Sequence, residues 1–285
     1  MASESGAQET VVFRRRAELP GVEVRDVEGS ARHWRCFSLG YEFLTPTTWQ
    51  GDIVYRRHQE RLSPGDVFCS YPGEVFSTPR VYRAGGGSAL VVEPEVLDQA
   101  LREHGMSLSR VQFRRVSKMS NQLATKLGDV FRLLNPGTSA LELQSALSLF
   151  LGTAVRELSE VLPAAETSVD AAGVERVREQ LHFDPLARTD LAALSEQSGL
   201  SRFQVLRAFK RVYGLPPHAY QLRVRIGLAQ RALRAGRRPA EVAEDFGFVD
   251  QSHFSRHFKQ LVGVTPLQYM TLEPTKKSGS ASRAR

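Results

Sequence analysis

The sequence predicts an α+β chain in two parts. A small β-barrel or sandwich carrying helices comes first, and an all-α domain of two helix-turn-helix units follows. Three observations predict it. Short apolar runs punctuated by turn formers fill the first third of the 285 residues. Helical periodicity replaces them from Glu95 onward. A degenerate repeat, offset by 49 positions, occupies the C-terminal part.

The elements follow in order. Residues 1–10, "MASESGAQET", are polar and read as a tail without the apolar segment of a signal peptide. Residues 11–95 hold "WRCFSLGYEFL" (Trp34–Leu44), "DIVYRR" (Asp52–Arg57), "DVFCSY" (Asp66–Tyr71) and "SALVVE" (Ser88–Glu93). Turn formers such as Ser63-Pro64-Gly65-Asp66 and Gly85-Gly86-Gly87 separate these runs, so they read as short strands of one barrel or sandwich. Residues 96–162 read as a helical, dimerising region. Leu123, Leu127, Val130 and Leu134 form one stripe, and the helix predicted over Ser139–Leu162 is apolar on more than one face. Its second face needs cover, from a partner subunit in a homodimer or from the β-domain. Residues 163–173 are small, polar and Pro-bearing, a linker by composition. Residues 174–271 form the helix-turn-helix domain, and residues 272–285 a basic tail.

Composition narrows the function classes. Apolar residues make up 41% and charged residues 24%, which is ordinary for a soluble globular chain. No window approaches about 18 uninterrupted apolar residues, so no membrane partner is expected. Two cysteines, Cys36 and Cys69, cannot make a disulfide framework and fit buried thiols in a reducing cytoplasm. The net charge of +7 is unevenly spread. Met1–Val169 carries 19 Lys and Arg against 20 Asp and Glu, whereas Asp170–Arg285 carries 19 against 11. A cationic domain joined to a neutral one suggests a polyanion partner, with double-stranded DNA foremost.

The repeat sharpens that expectation. "RAFKRVYGLPPHAY" (Arg207–Tyr220) matches "RHFKQLVGVTPLQY" (Arg256–Tyr269) at six of fourteen positions. Each copy reads as a short helix, a Gly-containing turn and a longer amphipathic helix ending at Gly. Val205, Phe209 and Val212 share one face of the first long helix, and Phe254, Phe258 and Leu261 share one face of the second, as core. The opposite faces carry Arg202, Phe203, Leu206, Arg207 and Lys210, and Gln251, Ser252, Ser255, Arg256 and Lys259. Arg can bond guanine through two N–H groups, Gln pairs with adenine, and Phe or Leu can touch thymine methyls or simply pack. The helix predicted over Pro217–Gly236 spans roughly 28 Å, close to the ~34 Å between successive major-groove segments. His253 and His257 stand four apart, as helical metal ligands do, but "HFSRH" lacks the Glu of that pattern and has no third ligand, so no metal is expected.

At these residues the chain resembles the AraC/XylS family of bacterial transcription regulators. "LAALSEQSGLSRFQVLRAFKRVYGLPPHAYQLRVRIGLAQRAL" and "EVAEDFGFVDQSHFSRHFKQLVGVTPLQYM" carry the resemblance, over about Ala172 to Met270. It implies groove contacts from Phe203, Gln204 and Arg207, and from Gln251, Ser252, His253, Ser255 and Arg256. The N-terminal half resembles the family's cupin-like sensor domain through "RLSPGDVFCSYPGEVF" (Arg61–Phe76). Metal-binding cupins carry paired histidines, whereas here His33 is followed by Arg35. An effector pocket would draw on His33, Arg35, Tyr41, Trp49 and Tyr71, with Arg32, Trp34 and Tyr82 as further candidates. The family also implies promoter activation through contact with RNA polymerase, under a small-molecule effector. No nucleophile motif, phosphate loop or metal set points to catalysis or to a cofactor. The alternatives are a ligand-independent regulator whose barrel only dimerises, and a cupin enzyme tethered to DNA.

Overall fold

The computed structural model describes residues 9–31, 33–103, 111–135, 138–161, 169–187 and 190–271. The first half contributes nine strands in succession: β1 (Thr10–Arg14), β2 (Val22–Ser30), β3 (Arg35–Phe37), β4 (Tyr41–Pro46), β5 (Gln50–Tyr55), β6 (His58–Leu62), β7 (Asp66–Ser70), β8 (Val75–Arg83) and β9 (Gly85–Val92). Helix α1 (Pro94–Glu103), strands β10 (Val111–Phe113) and β11 (Val116–Lys118), helices α2 (Asn121–Leu133) and α3 (Ala140–Leu158), and strand β12 (Ser159–Val161) complete it.

The strands form two facing sheets, and no strand pairing closes them into a barrel among the described residues. One sheet has the order β1-β2-β9-β4-β7-β11, the other β3-β8-β5-β6, and β10 pairs with β12 apart from both. Aromatic contacts fill the gap between the sheets: Phe68 of β7 meets Tyr55 of β5 at 5.3 Å and Phe76 of β8 at 4.8 Å. The chain passes from one sheet to the other at Gly85, where a Cβ would lie 2.5 Å from Thr48 Oγ1 and 2.7 Å from backbone. The outer face of the six-stranded sheet is covered by α1, α2 and α3. Alternate strand residues such as Val22, Val24, Phe43, Leu90 and Val92 point into this core, in which Phe150 of α3 meets Phe43 edge-on at 5.4 Å. This covering accounts for one apolar face of α3. Leu141 and Leu149 remain outside it, 71% and 57% exposed.

The second half is helical: α4 (Val169–Phe183), α5 (Leu191–Ser198), α6 (Arg202–Tyr213), α7 (Pro217–Arg234), α8 (Pro239–Asp245), α9 (Gln251–Val262) and α10 (Pro266–Thr271). Helix α4 begins at Val169, inside the stretch read as linker, and residues 163–168 of that stretch lie outside the described residues. Two cores form within these helices. Val177, Leu181, Val205, Phe209 and Tyr220 belong to the first, and Ile226, Leu233, Val242, Phe254, Phe258 and Tyr269 to the second. Helix α7 contributes to both, as a connecting rod must. Val212, expected in the core, is 39% exposed, and Leu261 is only partly buried.

Both cores take in residues from the first half. Phe13 of β1 is buried in the second core and meets Tyr269 edge-on at 5.0 Å. Val75 belongs to the first core, and Phe37 meets Tyr220 at 5.7 Å. An ion cluster borders the contact. Glu23 of β2 accepts the Tyr269 hydroxyl at 2.8 Å and pairs with Arg15 at 3.0 Å and Arg234 at 3.6 Å. Glu93 pairs with Arg234 at 2.7 Å and Arg231 at 3.1 Å.

Candidate nucleic-acid interface

Helices α6 and α9 are built alike, by local chemistry. Helix α5 starts where the Asp190 carboxylate accepts the Ala193 N–H at 2.8 Å, and it ends on left-handed Gly199 at φ 71°. Ser201 then opens α6 through a reciprocal cap: its N–H donates to Gln204 Oε1 at 2.9 Å, and the Gln204 N–H donates back to Ser201 Oγ. In the second unit Gly247 turns at φ 71°, and Asp250 caps α9 by accepting the His253 N–H at 2.6 Å. Gly214 and Gly263 end α6 and α9 in the same left-handed conformation. The same order of cap, helix and glycine therefore orients both helices.

Each helix buries one face and exposes the other. Val205, Ala208 and Phe209 are buried on α6, and Phe254, Phe258 and Val262 on α9. Arg202, Phe203, Gln204, Leu206, Arg207 and Lys210 are exposed, as are Gln251, Ser252, Arg256 and Lys259. Phe203, at 69% exposure, is an aromatic ring left in water on a helix that has a core available. Val249, at 87%, lies just before α9, and a single apolar residue in a turn carries no periodic signal in the sequence.

Three candidates differ from expectation. Gln204 spends its side-chain oxygen on the helix cap, leaving only its amide N–H groups for another partner. Ser255 is half-buried. His253 is also half-buried, its ring 5.8 Å from Phe248 and its Nε2 3.0 Å from Nε2 of His257. The pair works as an internal brace, joined through one ring-to-ring hydrogen bond. Burial and the neighbouring His253 and Arg256 hold the His257 pKa below its ordinary value. Among the described residues no three His, Cys, Asp or Glu side chains gather as metal ligands.

The effector candidates scatter. Trp49 alone among the five main candidates lines the cavity between the sheets, a space of about 80 Å³. Its walls include Trp34, Cys36, Ile53, Leu62 and Phe76, and Arg25 supplies the charge, ion-paired with buried Glu42. Tyr41 points the other way, into the helix-covered core, where it meets Tyr71 at 5.3 Å, and the Tyr71 hydroxyl accepts the Phe113 N–H at 2.6 Å. His33 donates from Nδ1 to the Thr78 carbonyl at 2.9 Å, and Arg35 is exposed. Tyr82 donates to Asp52 at 2.8 Å on the outer surface, and Arg32 lies outside the described residues. Arg25 went unread because strand alternation says which residues share a face, not which face meets a cavity. Both cysteines are buried and reduced, and burial pushes the Cys69 thiol far above its ordinary value.

Known proteins resemble this chain in both halves. Residues 194–271 match a family described as a helix-turn-helix domain. The chain is 30% identical to a transcriptional activator, NphR, from a Rhodococcus species over 244 residues, covering 81% of this chain and 70% of that protein. It is 28% identical over 193 residues to the uncharacterized HTH-type transcriptional regulator YbfI of Bacillus subtilis, covering 67% and 70%. An apo crystal structure of ToxT from Vibrio cholerae superposes with a TM-score of 0.57 at 13% identity, covering 90% of this chain and 99% of that one. ToxT bound to an unsaturated fatty acid superposes with a TM-score of 0.56 at 14% identity, covering 94% and 98%. At such identity the likeness is one of fold.

Proposed function

The chain belongs to the AraC-type family of helix-turn-helix transcriptional regulators, and from that premise we propose that it activates transcription by laying α6 and α9 in successive major-groove segments. The observation that carries this reading is the matched construction of the two helices. Both start at a side-chain cap, end at a left-handed glycine and turn a polar face outward that no core residue covers. Arg207 and Arg256 occupy equivalent positions and would each grip a guanine edge. Lys210 and Lys259 would hold phosphates. The base-reading set is Arg202, Phe203, Leu206, Arg207, Gln251, Ser252 and Arg256, with Gln204 and Ser255 at its margin. His253 acts from behind as a brace. The protein would work in the cytoplasm and contact RNA polymerase at the promoter.

The test is selection of random DNA on the purified chain. Two sequence elements about one helical turn apart should emerge. Arg207→Ala and Arg256→Ala should each cost ~1–3 kcal/mol and relax preference in one element only. If both variants select the same motif as the parent with unchanged affinity, the groove assignment fails.

The effector, in this reading, enters the space between the two sheets. Apolar walls with Arg25 at one side suit a compact apolar molecule with an acidic or polar end. ToxT is a fold neighbour that holds a fatty acid, which accords with that chemistry. The cavity volume of about 80 Å³ favours a second reading, a regulator that needs no ligand, because small-molecule sites usually offer ~300 Å³ or more. Thermal shift of the protein across a panel of apolar acids decides between them: a rise abolished by Arg25→Gln supports the effector, and no rise supports the ligand-independent protein.

A further inference from the structure

The hairpin joining β5 to β6 turns on two residues, Arg56 and Arg57, between the paired residues Tyr55 and His58. Both have positive φ, 48° and 70°, and they are the non-glycine residues of the described chain that do. A two-residue hairpin of this hand favours Asn-Gly, since a Cβ is strained in left-handed backbone. Arg56 has a local reason to be there. Its Nε donates to Glu74 at 2.7 Å, and its guanidinium lies 4.7 Å from the Tyr71 ring centre. Arg57 has none: it is exposed and forms no ion pair among the described residues. A glycine would fit its backbone better, so what the arginine contributes is charge.

That charge is not alone. The hairpin tip sits against the C-terminal end of α6, and a crevice of about 240 Å³ between them is lined by Arg35, Arg56, Arg57, Glu74, Lys210 and Arg211. Glu74 is the one carboxylate of this lining, and Arg56 already occupies it. Arg35, Arg57, Lys210 and Arg211 are all exposed and form no ion pair among the described residues. Four uncompensated cations therefore face one opening, Arg35 and Arg57 from the charge-balanced first half and Lys210 and Arg211 from α6. Like charges gathered this way repel, and an anion that joins them relieves the repulsion.

Lys210 says which anion. It stands seven residues after Phe203 and three after Arg207, on the exposed face of α6, so the crevice continues that face at its C-terminal end. A site for a small free anion would bury its donors, whereas these are open to an extended chain of phosphates approaching from outside. We propose that the Arg56-Arg57 hairpin of the N-terminal half is a third DNA contact, gripping the phosphate backbone beside the segment read by α6 together with Arg35, Lys210 and Arg211. This rests on α6 being a groove-reading helix. The N-terminal half would then set DNA affinity directly, and any shift of the hairpin against α6 would change it.

The experiment measures binding of the full chain to a mixed-sequence duplex of about 40 base pairs, as salt rises from about 50 to 200 mM. Arg57→Gly should weaken binding roughly 3- to 10-fold at the lowest salt and make the slope of log K against log salt shallower by about one. Its thermal midpoint should equal or exceed that of the parent, because the turn strain is gone. Arg57→Lys keeps the charge and should bind like the parent. Arg57→Gly with parental affinity and slope overturns the proposal. So does Arg57→Lys as weak as Arg57→Gly, which would make the loss structural. So, too, does pyrophosphate that stabilises the parent but not Arg57→Gly while DNA binding is equal in both, which would make the crevice a small-anion site. Arg207→Ala, assayed in parallel on the selected motif, tests the α6 assignment by itself, since it should relax preference in the element read by α6 whatever the hairpin variants do.

Discussion

At the scale of single residues, Glu23 shows how one buried carboxylate can tie the two halves of the chain together. It is 6% exposed and meets the Tyr269 hydroxyl, Arg15 and Arg234. Replacing it with glutamine keeps the shape but removes the charge, leaving Arg15 and Arg234 close together without it. Glu23→Gln should lower stability by about 3 kcal/mol, read as a fall in the denaturation midpoint. Calorimetry should also show the two halves melting less cooperatively than in the parent. A midpoint and transition width equal to the parent's would mean the cluster is solvated and contributes nothing. None of this was legible in the sequence, because Glu23 and Tyr269 are 246 positions apart and no spacing rule connects them. Arg207 and Arg256 were legible, because helical periodicity alone places them opposite the core.

At the scale of elements, α4 and α7 meet through His182 and Tyr220, at the point where Gly73 from the N-terminal half also arrives. A Cβ on Gly73 would lie 2.4 Å from the Tyr220 hydroxyl and 3.0 Å from His182 Nε2, so only glycine fits there. His182 Nε2 lies 2.7 Å from that hydroxyl and shares a hydrogen bond with it. Burial first, and the Arg178 guanidinium and Arg231 next, push the His182 pKa down to about 4 from 6.5, with Glu175 opposing them. The unfolded chain therefore takes up a proton before the folded one does. The stabilisation is complete above pH about 6.5 and is lost as the pH falls toward 4. Allowing for partial exposure, the loss is about 1–2 kcal/mol. His182→Asn should flatten this part of the pH–stability curve, measured by urea denaturation between those limits. A parental slope in the variant would assign the pH dependence elsewhere, with His257, whose pKa is also held down, next in line.

At the scale of the whole molecule, what remains open is the outer face of α3. Leu141 and Leu149 lie two turns apart and stay exposed, while Leu143, Leu147, Phe150 and Leu151 of the same helix are buried. A second copy of this chain is the proposed cover. Leu141→Glu with Leu149→Glu should halve the mass seen by light scattering while leaving the circular dichroism unchanged. A parental mass would place any self-association on another surface. Among the described residues no helix is long and apolar enough to cross a membrane, so these leucines are not part of a span.

By itself the sequence determined whatever depends on neighbours a few residues apart. The caps at Asp190, Ser201 and Asp250, the glycines that end α6 and α9, the repeat and the polar faces of those two helices all follow from short-range backbone chemistry and from the 3.6-residue period. Only the tertiary structure decided what depends on distant pairings. Of the barrel or sandwich that the strands allow, two facing sheets form and no pairing closes them among the described residues, because sheet closure depends on which edges pair, and alternation along each strand is the same either way. Phe13 belongs to the second helical core, and Tyr41 turns from the expected pocket to the opposite face. The tip of the β5–β6 hairpin lies beside α6, because long-range packing, and not local propensity, brings Arg57 and Lys210 to one crevice.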